Sequence, residues 1–117
     1  MKTKVIPLEI QQKTLDELSK IKSQYIECDI IDILGTFKGK YFYIDTLKKN
    51  YVFSKGIRTL KPKKWPLCRL KYTGNFNFWE LEMYKYSDNW YDTDNDYMFP
   101  GGTIKKCLTA ASESHLY

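Results

Sequence analysis

The sequence is poor in the residues that catalytic and metal sites most often use. It has one histidine, His115, which lies two residues from the C-terminus, and three widely separated cysteines, Cys28, Cys68 and Cys107. Chain termini commonly fray, so His115 is a weak candidate for acid–base chemistry. Structural zinc sites usually contain a Cys-x-x-Cys pair, and none is present. We therefore expect no metal site, and we interpret the cysteines as small hydrophobic residues.

Signals for catalysis, secretion and membrane insertion are also missing. The chain has no G-x-S-x-G motif and no glycine-rich phosphate loop, so we expect no catalytic residue, no cofactor and no enzyme. The N-terminus turns polar after a few residues, which argues against a signal peptide. No apolar run approaches the ~18 residues that a membrane span needs. Together with three unpaired cysteines, these absences predict a cytoplasmic protein without membrane association.

One acidic motif has the form of a cation site. Asp92, Asp94 and Asp96 alternate with other residues, which is how calcium-binding loops begin. An EF-hand loop would then require a glycine where this chain has Tyr97, and a bidentate glutamate where it has Thr103. We therefore interpret the segment as a solvated turn. Cation binding and an acidic recognition element stay open as alternatives.

Charge is distributed unevenly along the chain. The net charge is +5, but residues 38–64 carry nine basic residues against the single acid Asp45. Residues 73–100 have the opposite balance, six acidic residues against Lys85. Such a field can steer a polyanion to the basic end or let two copies associate head to tail. A solvated surface without a partner is the third interpretation.

Two alternating segments between Pro66 and Tyr91 predict a β-hairpin with a turn around Gly74 and Asn75. A single register matches apolar with apolar residues and cations with anions. The predicted pairs are Cys68 with Met83, Arg69 with Glu82, Leu70 with Leu81, Lys71 with Glu80, and Tyr72 with Trp79. In this register one face is buried, and the charged pairs form an exposed salt-bridged face.

The remaining segments predict the fold class. Apolar periodicity indicates a helix from Pro7 to about Tyr25, whose regular part begins near the capping-box residue Thr14. A hairpin follows over residues 26–46, then a short strand at residues 51–54 and an irregular basic connection. A final helix begins after Thr103, and helical spacing places four apolar residues on one of its faces: Ile104, Cys107, Leu108 and Ala111. We predict one α+β domain over residues 1–117, with an N-terminal helix, a four- to five-stranded antiparallel meander sheet and a C-terminal helix.

The hairpin residues also carry a resemblance. A strand of the form P-[apolar]-x-[KR]-x-x-Y precedes W-x-[apolar]-x-[apolar]-Y, an aromatic segment and a late helix. This layout resembles a small bacterial domain family of unknown function. The residues that agree are Pro66, Tyr72, Trp79, Leu81, Met83 and Trp90. The resemblance implies the fold and carries no activity.

Aromatic content predicts a protein-interaction function. Ten tyrosines and three tryptophans exceed what a core of this size can hide. Tyr, Trp and Phe are enriched at the centres of interfaces. The candidate interface residues are Trp90, Tyr91, Tyr97 and Phe99. We expect the partner to be another protein or a second copy of this chain.

The alternative prediction is a nucleic-acid-binding module that uses the basic segment, residues 38–64. Positive charges that follow phosphates, combined with aromatic rings that stack on bases, are what single-strand binding requires. The segment interleaves its basic residues with several aromatic residues. The candidate polyanion-binding residues are Lys48, Lys49, Lys61, Lys63 and Lys64.

Overall fold

The computed structural model of the protein describes residues 5–26, 30–91 and 101–115, with side chains described up to residue 112. The described residues form two α-helices and seven β-strands. The helices are α1 (Leu8–Ile21) and α2 (Ile104–His115). The strands are β1 (Ile30–Lys38), β2 (Tyr41–Lys48), β3 (Tyr51–Ser54), β4 (Ile57–Leu60), β5 (Lys63–Asn75), β6 (Phe78–Lys85) and β7 (Trp90–Tyr91).

The strands form two antiparallel sheets. The main sheet has five strands in the order β1-β2-β5-β6-β7, and β3 pairs only with β4 in a separate two-stranded sheet. This architecture confirms the predicted α+β class, in which one helix precedes the strands in the chain and one follows them. Neither helix in the described part of the chain is long and apolar enough to cross a membrane.

The predicted register of the β5–β6 hairpin is confirmed at all five positions, from Cys68↔Met83 to Tyr72↔Trp79. The turn lies further along the chain than the sequence indicated. Asn75 pairs with Phe78, so the turn residues are 76 and 77, and the register shifts between Tyr72 and Asn75. Gly74 lies at this irregularity with a φ of 96°, a conformation that glycine adopts at no steric cost.

The core lies between the two helices and one face of the sheet. Trp79, Phe42 and Leu70 are fully buried on that face, and Cys107 and Leu108 of α2 are fully buried with them. The Trp79 backbone also exchanges two hydrogen bonds with Gly102, at 2.7 and 3.0 Å. This bridge fixes the start of α2 against β6, and burial of the Trp79 and Phe42 rings stabilises the same contact by removing a large apolar area from water.

Helix α1 begins where the helical segment was predicted to begin, but it is regular from its first turn rather than from Thr14. It starts at Leu8, directly after Pro7, and Thr14 lies in its interior. Thr14 is buried, and its hydroxyl donates a hydrogen bond to the Ile10 carbonyl oxygen at 2.7 Å, so it is not a capping residue. Apolar periodicity predicts one buried face for this segment, with Leu8, Leu15, Leu18, Ile21 and Tyr25. The last three are buried, but Leu8 and Leu15 are exposed. The capping-box prediction was wrong because Thr14 bonds backward within the helix.

The basic connection before the hairpin is also more regular than predicted. Strand β5 already begins at Lys63 and continues through Pro66, which pairs with Asp45. The register of β2 and β5 shifts between Ile44 and Asp45. A bulge is one of the few places where a strand accepts proline, because the ladder is already interrupted there.

Candidate functional site

A two-stranded ribbon, here called the basic arm (residues 48–64), extends the pairing of β2 and β5 beyond the main sheet. Lys48 pairs with Lys63 at the end of the main ladder. The Lys61 amide then donates a hydrogen bond to the Asn50 carbonyl oxygen at 2.6 Å. Strands β3 and β4 continue from there, and all eight of their residues are exposed.

The local sequence explains why the arm forms a hairpin. Lys55 and Gly56 connect the two strands and have φ angles of 51° and 77°. Positive φ at both central residues is typical of the type I′ turn, which is one of the preferred two-residue hairpin connections. The strands around it are rich in β-branched and aromatic residues, which favour extended backbone.

The arm concentrates positive charge. It contains seven lysine and arginine residues and no aspartate or glutamate. All five lysines predicted to bind a polyanion lie at its base: Lys48, Lys49, Lys61, Lys63 and Lys64. Lys48 and Lys63 are directly opposite each other across the strands, an arrangement that destabilises a sheet when the charges are alike. A bound anion would remove this repulsion.

Among the residues that the structure describes, one carboxylate reaches the base of the arm. The Lys64 Nζ lies 3.9 Å from Asp45 Oδ2, and Asp45 is the only acidic residue between Asp32 and Glu80 in the sequence. Burial raises the pKa of Asp45, and the charge of Lys64 partly opposes that increase. Asp45 therefore offsets at most one of the seven positive charges.

The two faces of the arm differ in chemistry. Cross-strand pairs place Tyr51 with Leu60 and Phe53 with Arg58, so one face is aromatic and cationic. We call it the aromatic face of the arm. The opposite face is aliphatic and hydroxylic, with Val52, Ser54, Ile57 and Thr59. The Arg58 guanidinium lies 4.4 Å from the centre of the Tyr51 ring, and Phe53 is 71% exposed.

A second surface lies on the main sheet, on the side away from the helices. Its centre is Arg69, which is buried, and its Nε and Nη2 each lie 2.7 Å from Glu82 Oε1. The prediction of an exposed salt bridge is therefore wrong for this pair. It holds for the neighbouring Lys71–Glu80 pair, which is 3.8 Å apart and substantially exposed.

Aromatic rings surround the Arg69 guanidinium. Ring centres of Tyr41, Tyr91 and Trp90 lie 4.0, 4.8 and 5.6 Å from it. The Tyr43 hydroxyl also accepts a hydrogen bond from Arg69 Nη1 at 3.3 Å. Cation–π contacts of this kind stabilise a charge that has lost its water. We call this group the Arg69 cluster.

The candidate interface residues therefore have different surroundings. Trp90 is 58% exposed at the rim of the Arg69 cluster. Tyr91 lies inside it, and burial, together with the nearby Asp45 and Tyr43, raises the pKa of its hydroxyl despite the opposing charge of Arg69. Tyr97 and Phe99 lie outside the described residues, as do the three aspartates 92, 94 and 96.

The cysteines that the structure describes are packing residues. Cys68 and Cys107 are fully buried, and burial raises the pKa of Cys107 to about 12 and that of Cys68 well above its usual range. Neither thiol is therefore a ready nucleophile or metal ligand. Cys28 and the side chain of His115 are outside the described part. Within that part, no three His, Cys, Asp or Glu residues are grouped so that they can hold a metal ion.

The Arg69 cluster was not predicted from the sequence, although the sequence contains two of the patterns that form it. Tyr41 and Tyr43 alternate in the sequence, and the predicted hairpin register pairs Arg69 with Glu82. The missing information was that β2 lies beside β5 and β7 beside β6. This strand order brings the Tyr41 and Tyr91 rings over the Arg69 guanidinium.

Comparisons with protein-family models, with curated proteins and with solved structures give no significant match. Functional inference therefore rests on the geometry and charge of the two surfaces. The resemblance in layout to a bacterial family stays a prediction.

Proposed function

We propose that this protein binds nucleic acid, without catalysis, through the basic arm. The observation that carries the proposal is an exposed ribbon with seven positive charges and no negative one, five of them gathered at its base. Repeated phosphates are the ligand that matches such a surface, since each lysine that meets one releases a counterion.

The unfavourable placement of the lysines supports a polyanion over a neutral partner. Lys48 and Lys63 repel each other across the ribbon in the free protein. Phosphates relieve that repulsion on binding, whereas an apolar protein surface would increase it by excluding water from both charges.

The test is a fluorescence-anisotropy titration with labelled RNA and DNA at low and physiological salt. Changing Lys61, Lys63 and Lys64 to glutamate should abolish binding at physiological salt, and the wild-type affinity should fall steeply as salt increases. The matched control changes Lys20, Lys105 and Lys106, which are exposed on the helices, to glutamate. This control variant changes the net charge by the same amount as the arm variant, and it should bind the nucleic acid much more tightly than the arm variant does. No binding at low salt, or equal loss in both variants, would contradict the proposal.

A protein partner is the second candidate, and the exposure of Trp90 favours it. A large ring held at the rim of the Arg69 cluster has the size and rigidity of an interface anchor. The partner would be another protein, or a second copy of this chain that contacts the exposed Trp90 ring. Self-association that persists at high salt and disappears in Trp90→Ala would support this candidate, because aromatic contacts depend only weakly on ionic strength.

A further inference from the structure

We infer that the nucleic acid bound by the basic arm is single-stranded, and that its bases stack on Tyr51 and Phe53. This inference rests on the proposed nucleic-acid function and names the form of the ligand. Five large apolar side chains are exposed within the eight strand residues of the arm: Tyr51, Val52, Phe53, Ile57 and Leu60. A ribbon that only neutralised phosphates would not need them.

The two rings are placed as a stacking platform. Tyr51 and Phe53 are two residues apart on one strand, so they lie on the same face and their Cα atoms are about 6.6 Å apart. That spacing is about twice the 3.4 Å rise per base of a stacked strand, which leaves room for a base against each ring. Phe53 is the most exposed of the arm's apolar residues.

Arg58 places a positive charge beside this platform. Its guanidinium lies 4.4 Å from the Tyr51 ring centre and directly across the ribbon from Phe53. When the bases of a bound strand stack on the two rings, its phosphate backbone therefore passes close to the positive charge of Arg58. Stacking rings combined with cations along the backbone are the elements of sequence-tolerant single-strand binding.

A duplex suits this face less well. In a duplex, base faces are covered by their neighbours, and only the edges are open to hydrogen bonding in the grooves. The aromatic face consists of the Tyr51 and Phe53 rings, Leu60 and Arg58. Its only polar side-chain groups are the Tyr51 hydroxyl and the Arg58 guanidinium, which lies 4.4 Å from the centre of the Tyr51 ring. Exposed base faces, found in single strands, are the better complement to these rings.

The experiment compares a labelled single-stranded oligonucleotide with the duplex of the same sequence by anisotropy at low salt. The test variant is Tyr51→Leu with Phe53→Leu, which removes both rings and keeps the arm apolar. The control is Val52→Leu with Ile57→Leu, which places the same residue on the opposite face. Circular dichroism verifies the fold of each variant.

We expect wild-type protein to prefer the single strand, and the ring variant to lose at least about tenfold in single-strand affinity. Its salt dependence and duplex affinity should stay unchanged, and the control should bind like wild type. A strand of abasic sites should bind both proteins equally. Preference for the duplex, or an equal effect of both double variants, would overturn this inference and leave the proposed function standing. Absence of binding to either form would overturn both.

Discussion

At the scale of single residues, the most unusual feature is the buried charge of Arg69. A guanidinium that is removed from water is stable only when an opposite charge lies beside it and its N–H groups have hydrogen-bond acceptors. Glu82 supplies the charge, and the Tyr43 hydroxyl takes a further hydrogen bond. Burial lowers the Arg69 pKa, but the hydrogen bonds to Glu82 and Tyr43 and the charge of Glu82 raise it by more in total, so the guanidinium stays charged.

Two glutamates of β6 should therefore contribute very differently to stability. Glu82→Ala should lower the free energy of unfolding by about 3 kcal/mol, because it leaves the Arg69 charge buried without a partner. Glu80→Ala removes an exposed pair with Lys71 and should cost less than about 1 kcal/mol. Urea denaturation of the two variants measures the difference. Equal costs would show that Arg69 is hydrated in the folded protein.

At the scale of elements, the basic arm combines favourable local structure with unfavourable charge. The type I′ turn and the β-forming residues stabilise the ribbon, while Lys48 and Lys63 oppose each other at its base. An isolated two-stranded hairpin is only marginally stable in water. The arm is more stable than an isolated hairpin because it continues the β2–β5 ladder, and we expect a bound polyanion to stabilise it further.

A trade-off between stability and binding follows for the arm. Lys48→Glu turns a repulsive cross-strand pair into an attractive one and should raise the free energy of unfolding by about 0.2–1 kcal/mol. Lys49→Glu makes the same charge change in the connection after β2, outside the paired strand residues, and should not stabilise. Both variants should weaken binding to nucleic acid. Thermal denaturation and anisotropy measure the two effects, and equal stability of both variants would contradict the argument.

At the scale of the whole molecule, the core and the strands of the basic arm consist of different residues. The buried residues belong to the two helices, the segments beside α1 and the main sheet, and β3 and β4 contribute none. Stability and binding are therefore expected to depend on different parts of the chain.

Removing the arm tests this separation. Residues 49–62 can be replaced by Asn-Gly, a two-residue hairpin turn, because Lys48 and Lys63 already pair across the strands. The shortened protein should unfold cooperatively within a few degrees of the wild type. It loses four positive charges, so the slope of log affinity against log salt should fall by about 3. Loss of cooperative unfolding in calorimetry would show that the arm supports the sheet.

The sequence by itself determined the β5–β6 register and the buried face of α2. In the hairpin, alternation and charge pairing agree at every position, and a slip of β6 by one residue would expose Trp79 and bury Glu80. In α2, Ile104, Cys107, Leu108 and Ala111 lie at helical spacing and are all buried. These are short-range patterns, which a sequence displays directly.

Only the tertiary structure decided the burial of Arg69 and the separate position of the arm. Alternation places Arg69 on the outer face of the hairpin, and the sequence contains no signal that this position is covered. Tyr41 covers it from β2, the adjacent strand, and Tyr91 covers it from β7, the strand beyond β6, and neither strand is next to β5 in the sequence. Residues 51–60 leave the sheet because β2 and β5 pair directly with each other, so the segment between them has no edge to join.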